Sequence, residues 1–161
     1  MQDENPSWTF SLFVYAEPGV QEERLALQER LALDANLLLL CAYAGVQGVT
    51  LSENDVAAAA GAVAAWHGDI VRPLRAVRRA LKSVPRDDAA ALRTEVKAAE
   101  LKAEQIEQAV LWAWWGGPPA GPAGDRPAAL SANVRRLLGH YRADDTAPGV
   151  PNLLRAALRH A

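Results

Sequence analysis

The chain has 161 residues, of which 50% are hydrophobic and 22% are charged, and this indicates one globular domain and excludes wholesale disorder. The formal net charge of −2 and the pI near 5.9 exclude a global bias toward nucleic acid or anionic lipid. The single cysteine (Cys41), the acidic N-terminus and the absence of an apolar run long enough to span a bilayer favour a cytoplasmic protein that does not enter membranes.

Alanine and leucine dominate the apolar residues, and both are strong helix formers. No stretch offers the alternation of β-branched and aromatic residues that strands favour. The sequence therefore predicts an all-α fold, an orthogonal or bundle-like array of about five to seven helices.

Three helices are predicted in the N-terminal third. The first covers about residues 7–16, and the second follows Pro18. Asp34 is the predicted N-cap of the third, which extends to about Ala44 and is apolar on every face. A helix that is apolar all round belongs in the centre of a bundle.

Two long helices follow, between residues 53 and 115. Ser52 with Asp55 resembles a capping box at the start of the first, and Asp87 is the predicted cap of the second. In both helices, apolar positions recur at alternating steps of four and three, which predicts a continuous apolar face and an antiparallel αα-hairpin that serves as the scaffold of the fold. Gly68 and Pro73 do not interrupt this phase, so the first is interpreted as one kinked helix or two nearly collinear helices. The apolar positions are Val56, Ala60, Val63, His67, Ile70, Leu74, Val77 and Leu81 in the first helix and Leu92, Val96, Ala99, Ala103, Ile106, Val110 and Ala113 in the second.

Residues 116–127 contain eight glycines or prolines among twelve positions, which is typical of a linker. We therefore predict a helical core domain over residues 1–115, a Gly/Pro-rich linker over 116–127 and a weakly helical C-terminal tail over 128–161. The sequence leaves open whether this tail packs on the core.

Motifs for metal and nucleophilic chemistry are missing. No histidine has a glutamate three residues before it, as di-iron carboxylate bundles require, and no Cys-x-x-Cys or His-x-x-x-His pair is present for zinc. The sequence also lacks a Gly-x-Ser-x-Gly elbow and a phosphate-binding Gly-rich loop, and the apolar run around Cys41 predicts an inert thiol. We expect no metal site, no cofactor and a non-enzymatic role.

His67 lies on the predicted apolar face beside Trp66. We favour a core histidine bonded to a carbonyl or carboxylate; the alternative is a buried general base. Asp69 is the nearest acid in sequence, but side chains two positions apart on a helix do not face each other.

A row of cations is the most distinct electrostatic feature, since steps of three and four align its members on one helix face. The row either binds an anionic ligand or acidic partner, or is a solvated face paired with glutamates of the next helix or with the acidic N-terminal third. We favour pairing. The row consists of Arg72, Arg75, Arg79, Lys82 and Arg86, with Arg78 beside it; the candidate glutamates are Glu100, Glu104 and Glu107.

Three tryptophans crowd the end of the second long helix, at Trp112, Trp114 and Trp115. They point in different directions, so either the C-terminal helices fold over them or they form a docking surface.

Two amides, Gln28 and Asn36, lie beside apolar sequence and require hydrogen-bond partners if buried. They either lock the first two interhelical joints together, which we favour, or line a pocket with Tyr15 and His67.

A recognisable pattern is carried by a set of short segments: Trp8–Leu12, Tyr15, Pro18–Val20, Leu25–Gln28, Asn36–Leu39, Trp66, Pro73–Arg75, Arg78, Lys82, Glu100–Leu101 and Glu104–Gln105. This pattern, over roughly residues 7–111, resembles a proteobacterial family known as domain of unknown function 2390. The resemblance implies a bacterial cytosolic protein and supplies no reaction. Arg24 stands where that family has a cysteine, Ala32 where a glycine is common and Tyr43 where a tryptophan is usual, which argues against a thiol function.

Two functional hypotheses follow. The first is a non-enzymatic interaction or accessory protein that uses the basic row and the tryptophan-rich helix end to bind a protein partner, possibly an acidic one. The second is a small-molecule-binding protein or enzyme with an internal pocket. Nucleic-acid binding is disfavoured by the acidic pI, and the oligomeric state is not predicted.

Overall fold

The computed structural model describes residues 5–142 and 149–161 and is all-helical over those residues, which confirms the predicted fold class. The helical backbone is continuous from residue 53 to 82. Counted as one helix, this segment brings the described residues to seven helices, within the predicted range. The elements are α1 (Pro6–Ala16), α2 (Val20–Leu31), α3 (Ala35–Val46), α4 (Glu53–Trp66), a π-helical turn (His67–Val71), α5 (Arg72–Lys82), α6 (Asp87–Trp115), α7 (Arg126–His140) and α8 (Pro151–Arg159).

Helix α3 forms the centre of the core, as its all-round apolar sequence predicts. All of its residues are buried except Tyr43, and the Asp34 carboxylate caps it by accepting from the backbone N–H groups of Asn36 and Leu37. Helices α1, α6, α7 and α8 surround it. The closest approach is to α7, because Gly45 has no side chain: a Cβ added there would lie 2.4 Å from the Leu130 Cα.

The two predicted hairpin caps have different outcomes. Ser52 and Asp55 form a capping box, which confirms that prediction. The Asp87 cap is wrong, because Arg86 occupies the N-cap position and Asp87 is the first helical residue. Arg86 pairs with Asp88 across this first turn, and both acids there complement the helix dipole.

The apolar phase of the first long helix breaks at the π-helical turn. A π-turn contains one residue more than an α-turn and so shifts every later position around the helix. Val71 is consequently buried, while Ile70, the predicted core residue, is 37% exposed and Val77 is 47% exposed. The predicted unbroken phase is wrong. After the turn, Arg75 rather than Val77 faces α6.

Helix α6 also buries a different face from the one predicted. Its buried residues are Glu100, Ala103, Glu107, Gln108 and Leu111, three of them polar. The apolar positions beside them stay accessible: Leu92, Ile106 and Val110 are 36–48% exposed. The predicted apolar stripe is therefore wrong for most of its length, because the buried face of α6 bonds to polar groups of the core.

No residue from 72 to 99 is buried, so α5 and the first half of α6 form a two-helix projection, called the arm below. The rest of the described chain, called the body, contains the hydrophobic core. None of the described helices combines the length and the apolar content that crossing a membrane requires.

The helices after the Gly/Pro-rich segment pack into the body. Leu137 of α7 and Leu153 of α8 are fully buried members of the core. Asn133 of α7 joins to the segment after α3: its amide donates to the Cys41 and Val49 carbonyls and its Oδ1 accepts from the Leu51 N–H. Helix α8 is capped from α2, where the Glu23 carboxylate accepts hydrogen bonds from the first backbone N–H groups of α8.

Candidate functional site

A cluster of two carboxylates and an imidazole lies inside the body where α3, α6 and the π-helical turn meet. His67 Nδ1 is 3.1 Å from Glu107 Oε1 and 3.4 Å from Asp34 Oδ2. Glu107 is fully buried, Asp34 is 3% exposed, and the His67 side chain is 14% exposed. This geometry agrees with the favoured interpretation of His67, a core histidine bonded to a carbonyl or carboxylate.

A chain of hydrogen bonds continues from the cluster through the core to α1. Asn36 Nδ2 donates to Glu107 Oε2 at 3.0 Å, and Gln108 Nε2 donates to Asn36 Oδ1 at 3.1 Å. Ser11 Oγ lies 3.1 Å from Gln108 Oε1. Asn36 thus joins α3 to α6 through two hydrogen bonds, whereas the favoured interpretation of this amide places its bonds at the first two interhelical joints.

The two carboxylates have opposite electrostatic environments. Burial raises the pKa of Asp34 well above its usual range, and the hydrogen bond and charge of Glu107 raise it further. Burial also acts to raise the pKa of Glu107, but hydrogen bonds from His67, Asp34 and Asn36 outweigh it, so the pKa of Glu107 lies below its usual range. Glu107 is thus the preferred carrier of negative charge in the cluster.

Beside the cluster, a cleft of about 230 Å³ opens between the α2–α3 connection and α5. Its lining includes three arginines, so it is called the arginine cleft. Gln28 reaches it from α2, and the amide Nε2 of Gln28 is shielded from solvent without a hydrogen-bond partner. An unpaired buried donor is costly unless a ligand or water satisfies it. The cleft is lined by Gln28, Ala32, Leu33, His67, Arg72, Arg75, Ala76 and Arg79.

The basic row divides into paired and unpaired cations. Arg75 donates to Glu100 and Glu104, both at 3.1 Å, and its side chain is 14% exposed. Arg78 also pairs with Glu100. The favoured interpretation of the basic row predicts pairing of this kind, with glutamates of the next helix. Arg72, Arg79 and Lys82 are exposed and have no ion pair with the part of the chain that the structure describes.

The four predicted pocket residues line two separate clefts. Gln28 and His67 line the arginine cleft. Tyr15 and Asn36 line a groove of about 660 Å³ between α1, α2 and α6. Burial raises the pKa of Tyr15, whose ring lies 4.8 Å below the Arg24 guanidinium. The groove has accessible apolar walls that include Trp8, Leu12, Leu25 and Leu101.

The tryptophans at the end of α6 pack mainly around one aromatic ring of α3. Trp112 and Trp115 each lie 5.9 Å from the Tyr43 ring and 5.6 Å from each other. Trp114 and Trp115 also pack against the hydrophobic core. All three remain half-buried, so their role as a docking surface stays a prediction.

The sequence did not indicate the cluster itself. Asp34 was recognised only as a helix cap, and Glu107 only as a candidate partner of the basic row. His67 and Glu107 are 40 residues apart, and no spacing motif connects them. The apolar repeat of α6 gave no signal either, because Glu107 and Gln108 lie between its predicted apolar positions Ile106 and Val110.

The arrangement supports binding better than nucleophilic chemistry. Burial raises the pKa of the Cys41 thiol to about 12, so the thiolate is not accessible at neutral pH. Asp34, His67 and Glu107 offer one donor atom each, all within 4.8 Å of one another, and these are groups that hold metal ions. The three arginines offer charge and hydrogen bonds to an anion.

Comparison with known proteins identifies a family. Residues 6–111 match the model of a family described as protein of unknown function (DUF2390). The matched stretch contains Asp34, His67 and Glu107, whereas α7 and α8 lie beyond it. No curated protein and no solved structure matches the chain. Because the match covers more than half of the residues, the chain belongs to the DUF2390 family, as its sequence resemblance predicts.

Proposed function

We propose that this protein is a non-enzymatic accessory protein of the bacterial cytosol that binds a small anionic molecule, such as a phosphate or carboxylate compound, in the arginine cleft. The observation that carries the proposal is the pair of exposed arginines, Arg72 and Arg79, that are unpaired among the described residues and line the cleft together with Arg75. A phosphate or carboxylate group would neutralise them and accept hydrogen bonds from their guanidinium groups.

The charges around the cleft support an anion rather than a cation or a neutral compound. Glu100 and Glu104 hold Arg75 in place and neutralise much of its charge. Arg72 and Arg79 have no such acid among the described residues, so their charge is available to a ligand. Arginine suits this role because its planar fork of N–H groups matches phosphate and carboxylate geometry.

The volume of the cleft restricts the ligand. About 230 Å³ is below the range of drug-sized ligand pockets. A free inorganic anion, or the acidic end of a larger metabolite, fits this space. The moderate number of contacts predicts weak to moderate affinity that falls as the salt concentration rises.

Inorganic phosphate is a suitable first probe, titrated into metal-free, ¹⁵N-labelled protein. We expect saturable shifts of the Gln28 side-chain NH₂ signals. Replacing Arg72 and Arg79 together by glutamine should weaken binding by roughly tenfold or more, since the loss of about 1.4 kcal/mol is a factor of ten. Both residues are exposed, so this variant retains the fold.

Arg155→Gln on α8 is the control, because it removes an exposed arginine that does not line the cleft. If phosphate shifts the Gln28 signals equally in the double variant and in the control, the proposal is wrong. If no anion shifts them in the wild type, the cleft does not bind small anions.

An acidic protein partner is the second candidate. Lys82 carries the unpaired charge beyond the cleft to the end of α5, where a small ligand in the cleft would not reach. A titration with an acidic peptide distinguishes the two. Lys82→Gln should weaken peptide binding and leave phosphate binding unchanged if a partner docks along the arm.

A further inference from the structure

The cluster of Asp34, His67 and Glu107 has an unusual charge composition for a protein interior. Two carboxylates that are at most 3% exposed face one imidazole. No lysine or arginine within the described residues makes an ion pair with either acid. Two ionised carboxylates this close would repel strongly, so the cluster holds either a shared proton or a bound cation.

Both distances from the imidazole to the carboxylates are close to those between two ligands of a single metal ion. Two ligands on a tetrahedral ion with bonds of about 2.0–2.1 Å lie about 3.3–3.4 Å apart. His67 Nδ1 lies 3.4 Å from Asp34 Oδ2 and 3.1 Å from Glu107 Oε1. Imidazole and carboxylate ligands together favour first-row transition ions over calcium and magnesium, which prefer oxygen ligands alone.

We propose that Asp34, His67 and Glu107 bind a divalent transition-metal ion, with Zn²⁺ as the reference case. His67 binds through Nδ1, which leaves the proton on Nε2. The two carboxylates neutralise the ion, and the ion removes their mutual repulsion. Three protein ligands leave further coordination positions for water or another small ligand.

The surroundings of the cluster hold the ligands in position. The backbone N–H groups of Asn36 and Leu37 hold Asp34 through Oδ1, which leaves Oδ2 for the ion. The Asn36 amide donates to Glu107 Oε2 and leaves Oε1 free in the same way. Outer hydrogen bonds of this kind orient metal ligands and tune their affinity.

The backbone geometry at His67 is consistent with a ligand role. His67 is the first residue of the π-helical turn, and single π-turns within α-helices occur frequently at functional sites. Without the extra residue, the arginines of α5 would not face the acids of α6. The turn therefore brings His67 and the basic row to the same side of the body.

Cobalt(II) is the probe we would use first, titrated into metal-stripped full-length protein and followed by its visible absorption. We expect one Co²⁺ per chain, displaced by Zn²⁺. His67→Gln and Glu107→Gln should each weaken Co²⁺ binding by roughly a hundredfold or more, beyond the 10–100-fold typical of outer-shell changes. His160→Gln is the matched control, because His160 pairs with Glu17 at 2.8 Å elsewhere on the surface.

Glu107 is buried, so its variant could fail to fold, and X-ray absorption of the Zn²⁺-loaded wild type provides a second test. The expected spectrum contains one imidazole, oxygen ligands and no sulfur. The proposal is wrong if the wild type takes up no stoichiometric ion, if several imidazoles are present, or if only His160→Gln abolishes binding. If the wild type takes up no stoichiometric ion, a proton shared between the two carboxylates stabilises the cluster instead.

This inference is independent of the proposed anion binding. The phosphate titration uses metal-free protein, and Arg72→Gln with Arg79→Gln should leave the Co²⁺ affinity unchanged, because neither arginine bonds to a cluster residue. Loss of anion binding therefore does not imply loss of metal binding, and the reverse is also true.

Discussion

The arm and the body are both helical but are stabilised in different ways. In the body, α3 packs on α7 with core leucines that are at most 1% exposed. In the arm, Val77 and Leu92 are nearly half exposed, and Arg75 and Arg78 of α5 pair with Glu100, where α6 leaves the arm for the body. Apolar residues at steps of three and four therefore predict a helical hairpin, but not which face is buried.

The difference has a local origin in the π-helical turn. Before it, Val56 and Val63 point into the core as their spacing predicts; after it, the positions that face α6 carry arginines. The body thus retains the hydrophobic stabilisation of burial. The arm depends more on helix propensity and on partly exposed ion pairs, which contribute little individually.

The largest expected effect in the body comes from Asn133→Ala. The substitution leaves the Cys41 and Val49 carbonyls and the Leu51 N–H without their partner. Each unsatisfied buried group costs about 1–3 kcal/mol, so the free energy of unfolding should fall by about 3 kcal/mol or more. Urea denaturation measures the loss, with exposed Ser131→Ala on the same helix as the control. A loss below 1 kcal/mol would mean that water replaces these hydrogen bonds.

Gly45→Ala should have an intermediate effect, because the new Cβ would meet the backbone of Leu130. Overpacking of this kind costs about 1–3 kcal/mol. Gly61→Ala is the matched control: it lies in a helix with nothing within 4 Å of the added Cβ, so it should gain about 0.5–1 kcal/mol. Equal thermal unfolding temperatures for the two variants would contradict the close α3–α7 approach.

The smallest effect is expected in the arm. Val77→Ala and Leu92→Ala remove side chains that are 47% and 48% exposed, and substitutions at such sites usually change the free energy of unfolding by less than about 0.5 kcal/mol. Denaturation at several protein concentrations measures this. A loss above about 1.5 kcal/mol that depends on concentration would show that a second copy covers the arm in solution.

Several features of the fold were predictable because they depend on local interactions. The Ala- and Leu-rich composition determines the helical class, and the caps at Asp34 and Ser52 act within one helical turn. The apolar sequence of α3 determines its central position, since no face of it tolerates water. The length of the two long helices and the short loop between them determine the hairpin.

The tertiary structure alone decided the candidate site. Asp34, His67 and Glu107 belong to different helical elements and have no fixed spacing, so only packing brings their donor atoms within 4.8 Å. The π-helical turn changed which residues of α5 face α6, and simple periodicity contains no signal for one inserted residue. The sequence by itself therefore determined the helices and the central position of α3, whereas long-range packing decided which charges are buried together.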